Sequence, residues 1–267
     1  MRSRPFSDKL VRMVARIKFP LIAALLCLCV TAPAAAQILL LNDWRGERHM
    51  NCLETVARDP SSGMALAEDW LRYGGDLAAN HCLAVAETAI GDPGAAARAF
   101  AALAQRMPED RWSDIGQLWA QSGHAWLLAE EPQQALQAFD RAVADLPNDV
   151  GVLADRAVVR ALLGNYAGAS ADLTRAIGLG GANPELLLYR ATAFRYLDQY
   201  NSALQDLNQA LQMAPGFAEA YLERGNVRAL SGDDSGAAAD WRQVQTLAPN
   251  SELAARARQG LGQLSGQ

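Results

Sequence analysis

The chain has 267 residues and a formal net charge of −5, and half of its residues are hydrophobic, many of them alanine. That suits one large or two small globular domains built on close helix–helix contacts. Residues 1–36 carry six Lys/Arg against one acid, whereas residues 37–267 hold 18 arginines, no lysine and 28 acids, a net of −10. An acidic chain without a basic cluster is a poor match to nucleic acid or anionic membrane surfaces, which excludes both as partner classes.

In chain order, a basic start (Arg2, Arg4, Lys9, Arg12, Arg16, Lys18) is followed by the apolar run PLIAALLCLCV and by small residues at Ala34 and Ala36. This is the order of a secretory signal peptide over 1–36, with the cut expected after Ala36. Cys27 and Cys29 each follow leucine, which does not suit a lipoprotein cut. If the leader is kept, the uncharged stretch 19–41 is long enough to span a bilayer. The expected location is periplasmic when the leader is cut, and inner-membrane anchored facing the periplasm when it is not. Membrane association is expected only in the second case.

Residues 37–76 read as a degenerate N-terminal helix pair, about 44–58 and 62–73, separated by Asp59-Pro60-Ser61-Ser62-Gly63. Beyond the leader two cysteines remain, Cys52 and Cys82. An even pair in an exported chain points to one disulfide. Two buried thiols are one alternative. A metal site of His49-x-x-Cys52 with His81-Cys82 is another, weakened because neighbours on a helix point about 100° apart.

From residue 77 the chain repeats itself. Steps of 34 connect Ala142, Ala176, Ala210 and Val244, and likewise Phe139, Leu173, Leu207 and Trp241. The same stride connects Ala135, Ala169, Ala203 and Ala237; Gly123, Ala157, Ala191 and Gly225; and Pro147, Gly181, Pro215 and Pro249. Each unit predicts two helices, such as about 150–163 and 166–179. Small residues let the two helices approach, the large residue fills the gap beside that contact, and proline ends the second helix. Four copies cover 116–149, 150–183, 184–217 and 218–249, and a weaker one covers 77–110. Pro108 to Pro147 is 39 residues, so five extra residues fall in EDRWSDIGQLWAQ as a longer entrance loop or first helix. Residues 250–267 read as a polar capping helix, started by Asn250 or Ser251.

These columns resemble the tetratricopeptide repeat. The resemblance implies an all-α fold, a right-handed α-solenoid of stacked antiparallel helix pairs, and a non-catalytic role in binding proteins. It also implies that first helices line a concave groove. Matching positions are Gln117, Ala120, His124 and Leu127; Gly151, Ala154, Val158 and Ala161; Glu185, Leu188, Thr192 and Arg195; and Glu219, Leu222, Asn226 and Ala229. Some relatives grip a C-terminal carboxylate there. Only Arg195 and Asn226 suit that task, in different units, so no such clamp is expected. An extended or helical peptide with apolar anchors and basic residues fits better.

Charges also recur at the stride of 34: Arg156, Arg190, Arg224 and Asp172, Asp206, Asp240. They are expected to pair as a structural ladder, each exposed pair worth about 0–1 kcal/mol. Glu130-Glu131 and Asp233-Asp234 fall at turns, where acids favour the next helix N-terminus. No phosphate loop, His-Glu-x-x-His, Gly-x-Ser-x-Gly or Cys-x-x-Cys-His occurs. No enzyme activity, cofactor or metal is expected. The expected function is an adaptor of the bacterial cell envelope, with a membrane-tethered scaffold or a self-associating repeat protein as rivals.

Overall fold

The computed structural model describes residues 46–265, and the leader and the expected cut after Ala36 lie outside them. Among the described residues there are thirteen α-helices and no strand. They are α1 Glu47–Arg58, α2 Pro60–Arg72, α3 Leu77–Ile90, α4 Pro93–Arg106, α5 Trp112–Leu128, α6 Pro132–Asp145, α7 Val150–Leu162, α8 Tyr166–Gly180, α9 Pro184–Tyr196, α10 Tyr200–Met213, α11 Ala218–Leu230, α12 Asp234–Leu247 and α13 Glu252–Ser265. The chain forms two compact units, one ending at Pro147 and one beginning at Asn148. Each is a stack of antiparallel helix pairs, the architecture of an α-solenoid.

In the first unit, α1 to α6 pack in succession, and α1 also touches α3. The second helix of the N-terminal pair begins at Pro60, two residues before the expected start. Asp59 caps it by accepting from the Ser61 amide at 3.1 Å, and Pro60 at the first helical position needs no hydrogen-bond acceptor. The five extra residues are divided between a 3₁₀ turn, Glu109–Arg111, and the 17-residue α5. Cys52 and Cys82 form a disulfide joining α1 to α3, both fully buried. Val56 and Ala67 complete the small core around it.

In the second unit, α7 to α13 pack in succession. Contacts between helices two apart run along the first helices, α7 to α9, α9 to α11 and α11 to α13. These therefore form the inner layer of the unit. Side-chain caps start most helices here: Asp149 to the Val152 amide, Asn165 to Gly168, Asn183 to Leu186, Asp233 to Gly236 and Ser251 to Ala254. Gly181 replaces proline in its column because α8 ends there with φ +83°, a conformation that favours glycine.

The repeating columns are packing pairs. A Cβ on Gly123 would lie 2.7 Å from Phe139 Cε2, and one on Gly225 would lie 2.6 Å from Trp241 Nε1. The equivalent positions hold Ala157 with Leu173 and Ala191 with Leu207, all buried. Glycine stands where the facing residue is aromatic, and alanine where it is leucine. The sum of the two volumes is held near the value that close packing allows.

Candidate partner-binding face

The recurring charges sit between the helices of a unit. Arg156 donates through Nε and Nη2 to both oxygens of Asp172, at 2.9 and 2.7 Å. Arg190 does the same to Asp206, and Arg224 to Asp240. Asp172 also accepts from Arg160, and Asp240 from Arg228, each at 2.8 Å. At the equivalent position near Asp206 stands Phe194, so that aspartate has one of these arginines rather than two. The three aspartate side chains are only 4–7 % exposed, so these are buried bidentate pairs and not the exposed ones expected from sequence.

The positions matched to the groove floor have varied fates. In the first unit, Gln117 is exposed, Leu127 half-buried, and Ala120 buried. His124 packs edge-on against Phe139 with ring centroids 5.2 Å apart, so its ring is engaged with α6. In the second unit Gly151 and Glu185 are exposed. Ala154, Val158, Ala161, Leu188, Thr192, Arg195, Glu219, Asn226 and Ala229 are half-buried. Thr192 returns its hydroxyl to the Leu188 carbonyl.

Leu222 is 3 % exposed and belongs to a core with Trp241 and Ala257. The terminal helix α13 covers it, which a floor position in an open groove would not experience. A cavity of about 210 Å³ remains there, lined by Leu222, Asn226, Trp241, Arg256, Gln259 and Gln263.

Arg195 and Asn226 do converge, on a residue the sequence reading missed. Arg195 Nε donates to Glu223 Oε1 at 2.6 Å, and Asn226 Nδ2 donates to Glu223 Oε2 at 3.3 Å. Glu223 is 7 % exposed and supplies a carboxylate from within the chain. Burial opposes the Arg195 charge, but Glu223 outweighs it and raises the guanidinium pKa. Arg195 also lies over the Tyr196 ring at 4.1 Å, and Tyr196 stacks on Tyr166.

Tyr189 on α9 is the exposed aromatic of this inner layer, at 38 %. Burial first, then the charges of Glu185, Asp155 and Glu219, push its phenol pKa up. Those carboxylates come from α9, α7 and α11, so three successive first helices contribute negative charge around one tyrosine. One stride before Tyr189 stands Asp155 and one stride after it Glu223, each directly before a ladder arginine. That column repeats no residue type, so it gave no sequence signal for either residue.

The cluster weighed as a metal site resolves differently. Cys52 and Cys82 are spent on the disulfide, which leaves neither a thiolate ligand nor a nucleophile there. Among the described residues no group of His, Cys, Asp and Glu is placed to hold a metal ion. No described helix is long and apolar enough to cross a membrane.

No family profile and no curated protein matches the sequence. Solved structures do match the fold. PilF of Pseudomonas aeruginosa aligns with a TM-score of 0.61 at 17 % identity, over 79 % of this chain and 95 % of that one. YrrB, described as a TPR protein with an unusual peptide-binding site, aligns at 0.58 and 15 %, over 72 % and 96 %. MamA from Desulfovibrio magneticus RS-1 aligns at 0.55 and 16 %, over 78 % and 98 %. At these identities the likeness shows the fold, a stack of helix pairs of the tetratricopeptide type.

Proposed function

We propose that the protein is a non-catalytic adaptor of the cell envelope that holds a protein or peptide partner against the α7–α9–α11 face. The partner segment carries basic side chains. The observation that carries this reading is Tyr189, an exposed aromatic set among the charges of Glu185, Asp155 and Glu219. Such a setting offers a cationic side chain both a ring face and counter-charge. The net −10 of residues 37–267 favours the same partner by steering. Val158 on α7 and Leu188 on α9, both half-buried, are the apolar anchors this reading assigns. The peptide-binding site named for YrrB supports a peptide ligand. Export to the periplasm is supported by the leader pattern of residues 1–36, and retention of that leader would tether the same adaptor to the inner membrane.

The test is fluorescence anisotropy with peptides of about 15 residues drawn from exported proteins, each paired with a version in which Lys and Arg become Gln. Basic peptides should bind and their Gln versions should bind at least about tenfold more weakly. Tyr189→Ala should weaken binding by a similar factor, and Glu185→Gln with Glu219→Gln should flatten its salt dependence. Equal binding of the Gln versions, or an unaltered Kd for Tyr189→Ala, removes this reading.

A further inference from the structure

The second helices of the second unit, α8, α10 and α12, form its outer layer, and near their C-terminal ends one column is apolar and open. Leu179, Met213 and Leu247 recur at the stride of 34 and are 46 %, 49 % and 38 % exposed. In the first unit the same column holds Asp145, so the apolar row belongs to the second unit alone. The surface around the row is poor in acids. Asp172, Asp206 and Asp240 are buried in the ladder, which leaves Asp234, at the start of α12, as the one exposed acid of the three helices. Arg175 and Arg242 are exposed, and the remaining exposed residues of these helices are neutral. Beside Leu179 stands Gly178, in the last turns of α8, where an added Cβ would meet nothing within 4 Å. Glycine weakens a helix relative to alanine, and no neighbour within the described chain requires it at this position.

We propose that the outer face of α8, α10 and α12 joins two copies of the chain about a two-fold axis. The charge pattern selects a second copy as the occupant. Residues 37–267 carry a net −10, so two copies repel each other through most of their surface. A contact between copies is therefore favoured where it brings few acids together, and this face does so while also carrying an apolar row. A two-fold contact uses the same patch on both sides. An axis parallel to α10 sets the row upon itself, with Met213 against Met213 and Leu179 of each copy against Leu247 of the other. The missing side chain at Gly178 leaves room for that approach.

The size of the face sets the strength of the contact. Helices of 14 or 15 residues are about 21 Å long, and three of them about 10 Å apart make a face of about 600 Å². A standard interface takes about 800 Å² per partner, so this dimer is weak and forms at high concentration. The α7–α9–α11 face stays open in it, and the proposal does not rest on the peptide reading of that face.

The test is sedimentation velocity of the purified protein from about 1 to 500 μM. The protein should be monomeric at the low end and move towards twice the monomer mass at the high end. Raising sodium chloride from about 0.05 to 0.5 M should strengthen association at least about threefold, because it screens the repulsion between acidic copies. The double variant Leu179→Gln, Met213→Gln should weaken association at least about tenfold. Gly178→Gln should do the same, since it adds bulk without charge and leaves its own chain unstrained. All three positions are exposed, so the unfolding midpoints should stay level or rise. A monomer at every concentration overturns the proposal, as does a dimer that both variants leave intact, a dimer that salt dissociates, or a mass that grows beyond two copies. Should the double variant fail to fold, Gly178→Gln decides alone.

Discussion

The three ladder aspartates show how burial changes the worth of one charge pair. A solvated pair is worth about 0–1 kcal/mol, but removing one partner of a buried pair strands the other and costs about 3–5 kcal/mol. Asp172 and Asp240 each hold two arginines, and Asp206 holds one of that kind. We expect Asp172→Ala and Asp240→Ala each to lower stability by about 3–5 kcal/mol, and Asp206→Ala by about 1.5 kcal/mol less, one charge-assisted hydrogen bond. Urea denaturation midpoints measure this, and losses under about 1 kcal/mol would mean that the pairs are effectively solvated. The ladder was legible because its residues recur at a fixed stride. Glu223 was not, because its column reads Asp155, Tyr189, Glu223, and only the fold shows that Arg195 and Asn226 from neighbouring helices reach one carboxylate.

Between helices, the deciding quantity is the volume shared by two facing columns. Gly123→Ala would bring a methyl to 2.7 Å from the Phe139 ring, and Phe139 is fully buried and cannot retreat. Overpacking of this kind costs about 1–3 kcal/mol. Gly123→Ala should therefore destabilise by that amount alone, and by less when combined with Phe139→Leu, which recreates the Ala157–Leu173 combination. A double-mutant cycle on thermal or urea unfolding reads the coupling, and strict additivity would dissolve the pairing argument. The helices themselves were legible nearly to the residue, with α7 and α8 ending within a residue of expectation. The start of α2 was misjudged because Asp59-Pro60 reads equally as a turn and as a cap followed by a first-turn proline.

At the level of the whole chain, the disulfide belongs to one unit alone. Cys52 and Cys82 are 30 residues apart, and a loop of that size stabilises by about 3–4 kcal/mol. Reduction of the intact protein should raise hydrogen exchange in α1 to α3 and leave residues 148–265 as they were. A rise throughout the chain would show that the units do not respond separately. The division at Pro147 was not legible, because the stride of 34 runs through it unchanged. Periodicity records the packing within a helix pair and not where a chain divides into compact units. The matched columns also bear on descent. Repeats this alike invite unequal crossing-over, yet exchange of a single second helix would set Phe139 or Trp241 against alanine, or leucine against glycine. Only whole pairs can be inherited together, so the helix pair is the unit in which such a chain lengthens, shortens or is shuffled.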